Sequence, residues 1–264
     1  MRRRTFLSTS AAAGFAVRAL ADETGKAKPG DIPKRIFGKT GEKLTIIGQA
    51  GGRFPMCSYA EADIEKSLRA LKTDHVDLWQ IHQVSTMDEV EQIFAPGGAI
   101  EAFEAAKKAG KCRFIGFTGH HDPEVHLAML KKYDKYDTIL MPLNPADPSY
   151  LSFEKMVLPV AVERGMGIQG MKSTANSKLL HTIPLKDCLS YVLSLPIHCL
   201  ALGCTTIGQI EDDVRIAKKF QPLSADRLSQ IRATAAQFKG PQLEDWKVDR
   251  ANASARMYRD GAVA

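Results

Sequence analysis

Three groups of residues in this 264-residue chain carry chemistry at spacings that matter. The first is His82, which closes the run Val76-Asp77-Leu78-Trp79-Gln80-Ile81-His82. An imidazole there can donate a hydrogen bond, carry a proton or ligate a metal. The second is the polar cluster His120, His121, Asp122 and His126. Its spacing is not a recognised ligand set, so a loop explains it better than a metal site does. The third is Gly203 with Thr205, Thr206 and Gln209, where a helix begins. Backbone amides at such a start can hold phosphate, and the same residues serve equally as a plain helix cap. Single polar residues end other strands. Thr118 follows an apolar run, Lys172 follows Met171, and Asn144 lies between Pro142 and Pro145. Lys172 can face an anion or simply solvent, and Asn144 can bind a ligand or close an Asx turn.

These residues need a frame that brings them to one rim. Ile64, Leu68 and Leu71 recur at helical spacing, and residues 76–81 form a short apolar run rich in strand formers. That helix and strand predict a buried strand ending on His82. In a barrel of parallel strands, reactive groups sit at that carboxyl end. Downstream, the pattern predicts helices at 87–94 and 99–109, a strand at 113–117 and a helix at 125–132. A strand at 138–143, a helix at 153–164, a strand at 167–171 and a helix at 185–195 follow, then a strand at 198–202. Helices at 210–220 and 225–238 complete the series. Such alternation belongs to parallel α/β architecture. Upstream, 35–37 and 44–47 flank Gly38-Lys39-Thr40-Gly41, a hairpin signal. No G-x-G-x-x-G follows any strand, which favours a barrel over a doubly wound nucleotide-binding sheet.

Composition bounds the partners. Residues 1–21 hold four arginines and no acid, then a small, apolar run ending Ala19-Leu20-Ala21, the form of a cleavable export signal. Arg3-Arg4-Thr5-Phe6-Leu7 resembles the twin-arginine motif, so a periplasmic or exported location is expected. Without this segment the formal charge falls from +6 to +2. Lysine pairs such as Lys131-Lys132 are then isolated, which argues against nucleic acid as a partner. No later apolar run approaches the roughly 20 residues of a membrane span. Residues 22–32 read as a linker, 33–240 as the folded domain, and 241–264 as a polar tail with little to anchor it beyond Trp246 and Tyr258. Five cysteines without C-x-x-C spacing leave zinc and iron–sulfur sites unsupported; Cys112 and Cys199 read as core.

At 71–82 the sequence L-K-T-D-H-V-D-L-W-Q-I-H resembles the signature that leads the aldo/keto reductases from their third helix into strand four. Residues 110–119, G-K-C-R-F-I-G-F-T-G, resemble their fifth strand, and 203–213 resemble their cofactor-phosphate loop and final helix start. Residues 33–48 look like their opening hairpin and first barrel strand.

The resemblance implies a TIM-type (β/α) barrel that binds NADP(H) or NAD(H). It also implies reduction of a small-molecule carbonyl or oxidation of the alcohol. In that scheme His82 orients the carbonyl. The cofactor meets Thr118, His120, Asn144, Lys172, Gly203, Thr205, Thr206 and Gln209, while Asp213 stands where the family's asparagine meets the adenine.

The family's proton-donating tyrosine, with its lysine and aspartate, has no clear counterpart. Tyr59 is the nearby tyrosine but lacks the family context, and Lys72 falls in a turn at the wrong end of the barrel. A segment of about 60–70 residues, two βα units, has no equivalent between Gly52 and the helix before His82. About six of eight strands are therefore expected. Either the strand at 44–47 moves beside 76–81, or two open edges remain that invite a second copy. The alternative to an oxidoreductase is a non-catalytic remnant that binds a nucleotide or a protein.

Overall fold

A computed structural model describes residues 31–49 and 60–248 of the chain. The export signal, Tyr59, Cys57, Tyr258 and most of the linker lie outside the described residues.

The chain opens with a hairpin. β1 (Lys34–Ile36) pairs antiparallel with β2 (Lys43–Thr45), Lys34 opposite Thr45. The turn between them presses on the amino ends of later strands. Gly38 sits at φ +55°, and a Cβ there would come within 2.3 Å of the Met166 backbone. Arg35 is buried and donates to the carbonyls of Ile197 (2.5 Å) and Leu193 (2.8 Å). The hairpin thus covers the floor of the sheet that follows.

The expected single strand at 44–47 is two strands. Ile46, fully buried, is the pivot. Its N–H donates to the Pro33 carbonyl (3.0 Å), and its own carbonyl accepts from Leu200 N–H (2.8 Å). The chain bends there, leaves the hairpin and enters the main sheet as β3 (Ile47–Gln49).

That sheet has six parallel strands in the order β3-β8-β7-β6-β5-β4. Its remaining members are β4 (Val76–Ile81), β5 (Cys112–Thr118), β6 (Thr138–Pro142), β7 (Gly167–Met171) and β8 (Cys199–Leu202). Helices cover the outer face. α1 (Ala60–Leu71) precedes β4, α2 (Met87–Phe94) and α3 (Ala99–Lys108) precede β5, and α4 (Pro123–Lys132) precedes β6. α5 (Phe153–Met156) and α6 (Leu158–Glu163) lead to β7, and α7 (Leu185–Leu193) leads to β8. α8 (Ile207–Lys218) and α9 (Ala225–Ala235) follow.

The expected helix at 153–164 breaks at Val157. Pro159 lacks an N–H, and within a continuous helix its ring would crowd the Lys155 carbonyl. The result is a curled half-barrel. β3 pairs with β8 and β4 with β5, so among the described residues the second of the two expected arrangements holds and both outer strands are edges. No strand lies between Gln49 and Val76 among the described residues.

This topology divides the strand residues into two classes. Ile115, Phe117, Ile139, Met141, Ile168 and Leu200 face the helices and are essentially inaccessible. Their alternates Phe114, Leu140, Gln169 and Ala201 are only half-buried. The inner face is a trough rather than a filled cylinder, crossed by hydrogen bonds from Gln80 Nε2 to Thr138 Oγ1 and Gln169 Oε1 (both 3.3 Å).

Gly116 lets β5 and β6 meet there. A Cβ on it would lie 2.1 Å from Thr138 Oγ1 and 2.6 Å from the Thr138 carbonyl oxygen. Gly116→Ala is therefore expected to lower unfolding free energy by about 1–3 kcal/mol in urea titrations. Gly48→Ala, whose Cβ would meet only Cys199 Sγ at 3.4 Å, should be near neutral.

Candidate functional site at the carboxyl rim

All six strands run the same way, so their carboxyl ends share one rim. His82 follows β4, Thr118 ends β5, Asn144 follows β6, Lys172 follows β7, and Gly203 follows β8. His82 and the Gly203–Thr206 turn are therefore at the same rim. Lys72 is at the opposite one, exposed at the end of α1 with φ +55°.

His82 presents an exposed ring. Its Nδ1 is 3.3 Å from Thr118 Oγ1, and that oxygen also accepts the Gln83 backbone N–H at 2.9 Å. Gln83 itself has a left-handed backbone, φ +54°. His120 lies close enough to feel the charges of Lys172, His121 and His82. Burial first, and then those charges, push its pKa down to about 4, so it is neutral at pH 7.

His126 belongs to the core. It is fully buried beneath Phe117 and Phe153, with ring centroids 5.0 Å from each. Its Nε2 reaches the Leu140 carbonyl only at 3.5 Å, and burial pushes its pKa down to about 3. No group of three or more His, Cys, Asp or Glu residues that could hold a metal occurs among the described residues.

The turn before α8 is a donor set already in use. Thr205 N–H (2.7 Å), Thr205 Oγ1 (3.2 Å) and Thr206 N–H (3.3 Å) converge on Gln209 Oε1. Thr206 Oγ1 in turn accepts from Gln209 N–H, which completes a capping box. Gly203 is open: a Cβ placed on it would meet nothing within 4 Å. Behind the turn, Cys204 Sγ donates to Asp213 Oδ2 at 3.2 Å. Burial, and then Asp213, raise the Cys204 thiol to about 11.

Asn144 is fully buried and its amide is engaged at both ends. Oδ1 accepts from Ala146 and Asp147 N–H (2.9 and 3.2 Å), the Asx turn, while Nδ2 donates to Glu244 Oε1 at 2.8 Å. Glu244 belongs to the stretch expected to be a polar tail with little to anchor it beyond Trp246 and Tyr258; Trp246 is buried, and Glu244 and Lys247 prove to be further anchors. Residues 240–248 form a strap against the β6 and β7 side of the rim. Its Lys247 is completely buried and bonds to Asp147 Oδ1 (2.7 Å), Glu244 Oε1 (2.8 Å) and the Tyr150 carbonyl (2.7 Å). Trp246 lies under the Lys172 ammonium, 5.0 Å from ring centroid to Nζ, and Val248 N–H donates to the His121 carbonyl at 2.8 Å. Composition carries no signal for the strap, because its charged residues find partners a hundred positions away.

Residues 57–187 match the aldo/keto reductase family model. Among curated relatives, the uncharacterized oxidoreductase YqkF of Bacillus subtilis is 31% identical over 86 residues, 33% of this chain and 24% of the relative. The uncharacterized oxidoreductase YcsN of the same organism is 34% identical over 76 residues, 29% of this chain and 23% of the relative. The chain thus spans about a quarter of the length of these curated relatives. Among solved structures, the holo form of the aldo-keto reductase AKR11C1 from Bacillus halodurans superposes with TM-score 0.56 at 23% identity, covering 76% of each chain. Its apo form gives 0.55 at 24% identity, covering 70% of this chain and 71% of that one. Residues 57–187 thus resemble the aldo/keto reductases in sequence, and the fold that carries them is a curled half of the (β/α) barrel seen in such reductases.

Proposed function

We propose that this chain is an aldo/keto reductase-like oxidoreductase that reduces a small-molecule carbonyl, or oxidises the alcohol, with NADP(H) or NAD(H). The observation that carries the reading is His82 at the carboxyl rim, held by Thr118 and facing the same side as the Gly203–Thr206 turn.

The residues at the turn fit the phosphate end of such a cofactor. Three donors already converge on one oxygen, and the exposed Gln209 carboxamide stands in for a phosphate oxygen it can yield to. A dihydronicotinamide supplies a hydride when bound. His82 supplies the hydrogen bond that holds the carbonyl oxygen while negative charge develops on it, and the alkoxide takes its proton from solvent, which reaches the exposed ring. Lys172 adds positive charge at the same rim. Export by the twin-arginine route belongs to this proposal, as does pairing of a second copy along the open edges of β3 and β4.

A second reading, a remnant that binds a nucleotide or protein without turnover, draws on the engagement of Asn144 by Glu244 and of the Thr205 and Thr206 amides by Gln209. The test is nucleotide binding by the purified chain, followed by NADPH oxidation with a panel of aldehydes. The expected result is binding with turnover, and a fall in kcat/KM of about 100-fold or more in His82→Gln. Binding without turnover moves the assignment to the second reading. Absence of both removes nucleotide chemistry altogether.

A further inference from the structure

We infer that Thr118 is a positioning residue that fixes which nitrogen of His82 carries the proton. A threonine hydroxyl has one proton to give and two lone pairs. At Thr118 one lone pair is taken by the Gln83 N–H at 2.9 Å. The other hydrogen-bonding neighbour of Oγ1 among the described residues is His82 Nδ1, at 3.3 Å. Thr118 is 5% exposed, so solvent offers its hydroxyl little alternative. A proton on Nδ1 would leave the hydroxyl hydrogen without an acceptor in a buried place, at a cost of about 1–3 kcal/mol. The hydroxyl therefore donates to Nδ1, and the ring proton resides on Nε2, at the exposed edge.

The backbone enforces the relay. Val84 N–H donates to the Thr118 carbonyl at 2.9 Å, locking the chain after His82 against the end of β5. Gln83, whose φ of +54° is left-handed, turns the chain just past the N–H that meets Oγ1. The outcome is an imidazole that presents a donor, rather than a lone pair, to whatever enters the rim.

The tautomer stands independently of the reaction; its catalytic consequence rests on the carbonyl-reduction reading above. The experiment is long-range 15N–1H correlation spectroscopy of the full chain labelled at histidine, above the imidazole titration range. The His82 signal is assigned by its loss in His82→Gln. The expected result is a single Nε2–H form in the native chain, with Nδ1 in the pyridine-type range. Thr118→Val should move the Nδ1 shift toward the exchange-averaged value of a free imidazole, and Thr118→Ser should restore it. Circular dichroism confirms that each variant is folded. A native His82 protonated on Nδ1, or an unchanged Nδ1 shift in Thr118→Val, overturns the inference. If the chain turns over aldehydes, Thr118→Val should lower kcat with little change in KM, and Thr118→Ser should recover it. A chain with no turnover leaves the spectroscopic result to decide the tautomer alone.

Discussion

Replacing Lys247 with methionine is expected to lower unfolding free energy by about 3–5 kcal/mol, the range for removing one partner of a buried ion pair. The lysine has no exposed surface, and neither do Asp147 and Glu244, whose oxygens it holds at 2.7 and 2.8 Å. Methionine matches the length of the chain and fills its space, but it leaves two carboxylates facing each other without a cation. Asp147 keeps Ser152 Oγ and the Phe153 and Glu154 N–H groups as donors. Among the described residues Glu244 keeps only Asn144 Nδ2, and its Oε2 has no partner there. Burial already raises the Glu244 pKa, and Lys247 is the main group that opposes this, with a smaller contribution from the Asn144 hydrogen bond. Glu244 is thus the residue that takes up a proton in the variant. Adding Glu244→Gln to Lys247→Met should recover most of the loss, because the second buried charge disappears with the first. Urea titration gives the global value, and hydrogen exchange at the Val248 N–H, bonded to the His121 carbonyl, reports on the strap itself. A single variant within about 0.5 kcal/mol of the native chain, with Val248 still protected, would show that the strap is held by something other than this ion pair.

How much of this is legible in the sequence differs from residue to residue. Local periodicity suffices for the frame: Gly167–Met171 reads as a strand in sequence and is one, and the β4 strand delivers His82 to its carboxyl end as its pattern implies. Parallel strands flanked by amphipathic helices announce themselves through alternation of period, a local property. The bend at Ile46 does not. It lies inside an apolar run with no glycine or proline, and is imposed by two backbone bonds to partners far apart in sequence, Pro33 and Leu200. The break at Val157 has a marker in Pro159, outweighed by the helical spacing around it. The strap is the hardest to foresee. A stretch of mixed charges reads as solvated, and only the fold shows Lys247 meeting Asp147 across a hundred residues. The candidate site has the same character. The type and rim position of Thr118 are visible in sequence, whereas its bond to His82 depends on the register of β4 and β5.

Acid should unfold this protein earlier than its carboxylates alone would dictate, and His126 is the main reason. Burial holds its pKa at about 3, and it holds His120 and His198 at about 4. In the unfolded chain each imidazole titrates near 6.5. Below that value the unfolded state binds protons that the folded state refuses, so stability is complete above about pH 6.5 and is lost as pH falls toward the folded values. The slope approaches about 1.4 kcal/mol per pH unit for each such histidine. Glu154, Glu244 and Asp213, all raised by burial, act with the opposite sign and flatten the total. A difference measurement therefore isolates the histidine. His126→Gln keeps a side-chain N–H that can reach the Leu140 carbonyl, now 3.5 Å from Nε2, and removes the titrating ring. Urea titrations between about pH 7 and 4.5 should give the variant a shallower pH dependence by nearly one proton. The gap between the two curves should close by roughly 2 kcal/mol as pH falls from 6 to 4.5. Parallel curves would mean that His126 accepts its proton without leaving the core, and that the packing of its ring between Phe117 and Phe153 tolerates a charge.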